Sequence, residues 1–166
     1  PWEGGDPITG SGGWETVAPS PDPYPHGTGT TPTREMTADD VAAVIDAFRD
    51  AAVRARDAGF RVAEVHAAHG YLLHEFLSPV TNDRTDAYGG DFECRTRLVR
   101  EVATAVREVW PDDRPLFVRL SATDWLDDRD SWTVTDSIRL ADRLAPLGVD
   151  LIDVSAGGRT APGSRG

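Results

Sequence analysis

The hydrophobic pattern along this chain alternates between two periods. Val41, Val44, Ile45, Phe48, Ala52 and Ala55 recur at helical spacing and fall on one face. Thr37 stands ahead of that run with Asp40 three residues on, in the style of a capping box, and Gly59 marks its end. A strand is predicted from Val62 to His66. A second helix is predicted from about Phe92 to Val109, with Leu98, Val99, Val102, Val106 and Val109 turned inward and Pro111 just beyond. The next strand is Leu116 to Ser121. A third helix starts near Thr133, again with an acid, Asp136, at the third position. Ile138, Ala141 and Leu144 form its predicted core side, and Pro146 and Gly148 stop it. The last strand is Leu151 to Ser155.

Helix followed by strand, three times over, with short and largely apolar strands, predicts a parallel sheet with right-handed crossovers. An open doubly wound sheet and part of a (β/α)8 barrel both satisfy that pattern. No Gly-rich phosphate loop follows any strand, which weighs against the dinucleotide-binding fold. Polar groups gather at the three strand ends instead: His66, then Arg119 with Ser121, then Asp153 with Ser155. That is the barrel arrangement. The expected class is therefore α/β, a partial TIM barrel of about three consecutive parallel β/α units. A closed barrel needs roughly 250 residues, so 166 residues read as the middle of one, or as partial barrels that associate into a homo-oligomer.

The remainder has less pattern. Residues 1–34 are rich in Pro, Gly, Ser and Thr, with Trp2, Trp14 and Tyr24 interspersed. They read either as an irregular arm or as a loop that covers a site and buries its aromatics. Residues 35–158 form the expected barrel segment, and residues 159–166 a disordered tail.

Charge narrows the partners. The formal net charge is −11, from 17 basic and 28 acidic residues, which argues against nucleic acid and anionic membranes. Cys94 is the only cysteine, so neither an intramolecular disulfide nor a cysteine metal cluster is available. No apolar run approaches 18 residues, the length of a membrane span. These features predict a cytoplasmic protein with a small-molecule ligand.

The densest chemistry is His66-Ala67-Ala68-His69-Gly70-Tyr71, directly after a strand. Two imidazoles that converge suit an oxygen gaining negative charge, each donor being worth about 10²–10³ in rate. The same residues are open to other readings: structural histidines, or a metal site with His74 nearby serving a hydrolase. Tyr71, with an ordinary pKa near 10, is a candidate proton donor or an ordinary buried tyrosine. Arg119 on a strand needs a partner, for which Glu64 and Asp153 are the internal candidates. Arg84, Asp86 and Tyr88 read as loop-fixing residues, and Trp125 and Trp132 as packing under loops.

Long motifs carry a family resemblance. Ala58-Gly59-Phe60, the run Glu64 to Pro79, Asn82-Asp83-Arg84-Thr85-Asp86-Ala87-Tyr88-Gly89-Gly90 and Phe117-Val118-Arg119-Leu120-Ser121-Ala122 closely resemble the Old Yellow Enzyme family of flavin-dependent ene-reductases. The pairing of His with His, rather than His with Asn, resembles its thermophilic-like bacterial branch. The resemblance runs from about Pro32 to Gly158. It implies an FMN-binding barrel, of which this chain corresponds to about strands four to six. It further implies NAD(P)H as reductant and reduction of the C=C bond of α,β-unsaturated carbonyl compounds. His66, Ala67, Ala68 and His69 would line the substrate site, Tyr71 would deliver a proton, and Arg119 would face the flavin's pyrimidine edge. One departure is Cys94, where the family has Asn. A larger one is that the family's first strands and its phosphate-holding last strands have no counterpart here, so a non-catalytic fragment, inactive alone, is the rival expectation.

Overall fold

A computed structural model of the chain describes residues 2–3, 6–7, 12–21 and 33–156. The predicted three-stranded sheet is present. β5 (Ala63–Ala67), β6 (Leu116–Ser121) and β7 (Leu151–Ser155) pair in parallel, in consecutive order. Ahead of them lie an antiparallel pair, β1 (Trp2–Glu3) with β2 (Asp6–Pro7), and a parallel pair, β3 (Thr16–Ala18) with β4 (Thr33–Glu35). The α-helices among the described residues, interleaved with these strands, are α1 (Ala38–Asp57), α2 (Leu72–Leu77), α3 (Phe92–Arg95), α4 (Arg97–Val109) and α5 (Val134–Leu144), with a 3-10 turn over Ala145–Leu147 after the last.

Both predicted capping boxes form. Thr37 Oγ1 accepts from the Asp40 amide while Asp40 accepts from the Thr37 amide, and Thr133 with Asp136 repeats the arrangement. Each cap is worth about 1 kcal/mol. The sheet's helix-facing side supplies Val65, Ala67, Val118 and Leu120 to the core. Leu98, Val99, Val102 and Val106 of α4 pack into the same cluster, as do Leu73, Phe76 and Leu77 of α2.

Three sequence expectations need correction. The single helix from Phe92 to Val109 is two, because Thr96 turns its hydroxyl back onto the Phe92 carbonyl at 2.8 Å and interrupts the run. The core stripe of α5 is rotated: Leu140 and Leu144 are buried, whereas Ile138 is 59% exposed. Ser137 lies on the inner face, donating to the Ala122 carbonyl and accepting from the Trp132 indole N–H, so a polar residue occupies a core-side position. Among the tryptophans, Trp132 is buried against Phe92, but Trp125 is 62% exposed.

The N-terminal segment is less irregular than its composition suggests. β3 and β4 join, and the Met36 amide donates to the Ala18 carbonyl. Trp14 is exposed rather than buried; Tyr24, the side chain of Trp2 and residues 157–166 lie outside the described residues.

Arg84 ties this segment to the β5–α3 connection. Buried, it forms a forked pair with Asp86 and donates to the Pro19 and Met36 carbonyls at 3.0 and 2.7 Å. Asn82 holds the same loop through the Phe76 and Tyr88 carbonyls. Gly89 packs so closely that a Cβ there would lie 2.2 Å from the Arg84 carbonyl oxygen. Arg84→Ala leaves two buried carbonyls and Asp86 without their donor, and is expected to cost about 2–4 kcal/mol. Urea denaturation checks this; a loss below about 1 kcal/mol contradicts the anchoring role.

Candidate active site

The register of the sheet assembles the site. His66 pairs with Arg119, and Arg119 with Asp153, so the three form one row across β5, β6 and β7. Ser121 pairs with Ser155 two residues further toward the strand ends. The predicted rim of His66, Arg119 and Ser155 is therefore real. The rival reading of Arg119 as an internal ion pair is also met, since its Nε lies 3.2 Å from Asp153 Oδ2.

Beyond β5 the chain reverses through two consecutive left-handed residues, His69 at φ 62° and Gly70 at φ 75°. Glycine adopts this freely, whereas histidine must be held. Three hydrogen bonds hold it: the Tyr71 amide closes the turn onto the Ala68 carbonyl at 3.2 Å, the His69 amide donates to Ser121 Oγ at 2.8 Å, and the Gly70 amide donates to His74 Nδ1 at 2.9 Å. The turn brings the candidate residues together. The His66 and His69 ring centres are 5.1 Å apart, and His66 and Tyr71 5.3 Å apart. His69 Nε2 also lies 2.6 Å from Ser155 Oγ, a partner the sequence reading missed because it comes from the last strand. Tyr71 is exposed rather than buried, while Ala67 and Ala68 are fully buried.

Electrostatics separate the histidines. His66 is held below its usual pKa near 6.5, first by burial and then by His69 and Arg119, with Glu64 opposing. Its Nδ1 is buried without a hydrogen-bond partner among the described residues. His74 is buried against Asp124, and among the described residues no group of three His, Cys, Asp or Glu side chains is placed to hold a metal ion. No helix among them is long and apolar enough to cross a membrane.

The depressed His66 value has a sign that can be checked. Below about pH 6.5 the unfolded chain takes up a proton that folded His66 resists, so this group's contribution to stability falls as pH drops through that value, down to the folded pKa. An NMR titration is expected to place the His66 midpoint below 6.5; a midpoint at or above it contradicts the burial argument.

Comparison with known proteins gives the site a family. The sequence profile of the NADH:flavin oxidoreductase / NADH oxidase family matches residues 15–161. An NADPH dehydrogenase of Geobacillus sp. is 50% identical over 143 residues, covering 86% of this chain and 40% of that protein. Morphinone reductase, solved in complex with tetrahydroNAD, superposes with a TM-score of 0.74 at 31% identity, over 86% of this chain and 43% of its own. The old yellow enzyme homologue from Zymomonas mobilis gives 0.73 at 29% identity, over 90% and 46%. The chain thus spans about two-fifths of the length of the curated relatives it matches. A profile match over nearly all of the barrel-like segment, joined to about 50% identity, places this chain in the NADH:flavin oxidoreductase / NADH oxidase family, the Old Yellow Enzyme family whose motifs it carries.

Proposed function

We propose that this chain supplies the substrate-activating part, about strands four to six, of a (β/α)8 flavoenzyme that reduces the C=C bond of α,β-unsaturated carbonyl compounds with NAD(P)H. The observation that carries the reading is the convergence of His66, His69 and Tyr71 at the carboxyl end of β5, beside Arg119. The named activity of the NADPH dehydrogenase relative and the tetrahydroNAD bound to morphinone reductase support a nicotinamide reductant.

The residues fit a flavin ring edge. Arg119 is a half-buried cation on the sheet face whose Nε makes no hydrogen bond, and Asp153 is its ion-pair partner among the described residues. In this reading Arg119 would hold the pyrimidine edge of FMN, with Asp153 orienting the guanidinium. FMN, when bound, supplies the hydride. The chain's own residues do the rest. In this reading His66 and His69 hold the substrate's carbonyl oxygen and stabilise the charge it gains. His66 does this as a neutral donor, in keeping with its lowered pKa. The exposed Tyr71 phenol stands beside His66, and in this reading it gives its proton to the α-carbon.

Half-reactions test these assignments in a complete enzyme carrying this segment. Replacing both His66 and His69 by Ala is expected to slow enone reduction by at least about 100-fold while sparing flavin reduction by NAD(P)H. Equal loss in both half-reactions would assign the pair to the flavin or the fold. Tyr71→Phe is expected to slow only the oxidative half-reaction, with substrate binding nearly intact; an unchanged rate would return the proton to solvent.

A further inference from the structure

One buried polar cluster takes no part in the chemistry above. His74, on α2, is fully buried and accepts the Gly70 amide at Nδ1, so that nitrogen carries no proton. Its Nε2 faces Asp124 Oδ1 at 3.1 Å, an ion-pair distance, although neither atom makes a hydrogen bond among the described residues. Asp124 Oδ2 accepts from the Ser78 hydroxyl at 2.6 Å and from the Trp132 amide at 2.8 Å. Burial works against the charge on Asp124, but the adjacent His74 ring and the hydrogen bonds from Ser78 and Trp132 hold its pKa below the usual carboxylate value.

We propose that Asp124 is a positioning residue. Through the tautomer of His74 it locks Gly70, and with it the left-handed turn that presents His69 to the substrate. The inference rests on the reading of His69 given above. The donors around Asp124 make the logic strict. An amide N–H only donates, so an oxygen must face Trp132. Ser78 Oγ accepts from the Val80 amide at 3.1 Å, which leaves its proton for that same oxygen of Asp124. The second oxygen therefore faces His74 and demands a proton on Nε2, which leaves Nδ1 bare for Gly70. His69, at φ 62°, lies in a region that non-glycine residues disfavour, and the turn's own bond from the Tyr71 amide to the Ala68 carbonyl is long, at 3.2 Å, so the outside contacts of Gly70 and His69 help to hold it there.

Asp124→Asn breaks this chain of partners with almost no change of shape. Its oxygen must stay opposite Trp132 and Ser78, so its NH₂ points at His74 Nε2. His74 must then carry its proton on Nδ1, where it meets the Gly70 N–H donor head on.

The experiment labels the four histidines of the full chain with ¹⁵N and reads the imidazole shifts. Wild type is expected to show His74 protonated on Nε2 and bare on Nδ1, with a protected Gly70 amide. Asp124→Asn is expected to move the proton to Nδ1 and quicken Gly70 amide exchange by about tenfold or more, with native near-UV circular dichroism. In the complete enzyme carrying this segment, the same variant should raise KM for an enone and slow the oxidative half-reaction, leaving flavin reduction unchanged. A wild-type His74 protonated on Nδ1 overturns the proposal, and that arm decides even if the variant fails to fold. An unchanged tautomer and unchanged Gly70 exchange in the variant overturn it as well, as does a flipped tautomer with full enone turnover. If the complete wild-type enzyme reduces no enone, the functional reading fails while the ¹⁵N result still decides whether Asp124 sets the tautomer.

Discussion

A parallel sheet puts the carboxyl ends of all its strands on one side, and a strand's side chains alternate between its faces. Those two constraints build this molecule. They send Val65, Ala67, Val118 and Leu120 under the helices, and they line His66, Arg119 and Asp153 across the opposite face in one row. A slip of one residue in any strand would exchange the two sets, putting charge in the core and leucine in the site. The hydrophobic core thus fixes the geometry of the polar row, although it touches none of the chemistry directly.

The connection from β5 to α3 is long, yet it is densely bonded. Arg84, Asn82 and Arg95 each give N–H donors to backbone carbonyls: Arg84 to Pro19 and Met36 of the N-terminal segment, Asn82 to Phe76 and Tyr88, and Arg95 to Leu77 and Gly90. Side chains here replace the ladder that a helix or sheet would provide.

Much of this was legible in the sequence. The capping pairs Thr37–Asp40 and Thr133–Asp136, and the apolar faces of α1 and α4, rest on local periodicity and local hydrogen bonds, which a sequence displays directly. The clustering of His66, His69 and Tyr71 was readable because the three lie within one short stretch. What escaped depends on distant partners. α2 has no side-chain cap and owes its form to burial of Leu73, Phe76 and Leu77. β3 and β4 are three residues each and become strands only by finding one another. Ser155 and Asp124 reach the histidines from 86 and roughly fifty residues away, with no local mark of either contact. Ile138 misled for the opposite reason: an apolar residue beside a core-facing serine looks like the core position itself.

The backbone at His69 also limits what evolution can place there. In the proposed reading the position asks for two properties at once: tolerance of φ near +60° and a side-chain hydrogen-bond donor at the site. Among non-glycine residues, Asn, Asp and His enter the left-handed region most readily, and an ionised Asp has no proton to donate. Of these three, His and Asn keep a donor, so the torsion at His69 narrows the side chains that could serve there before any substrate arrives.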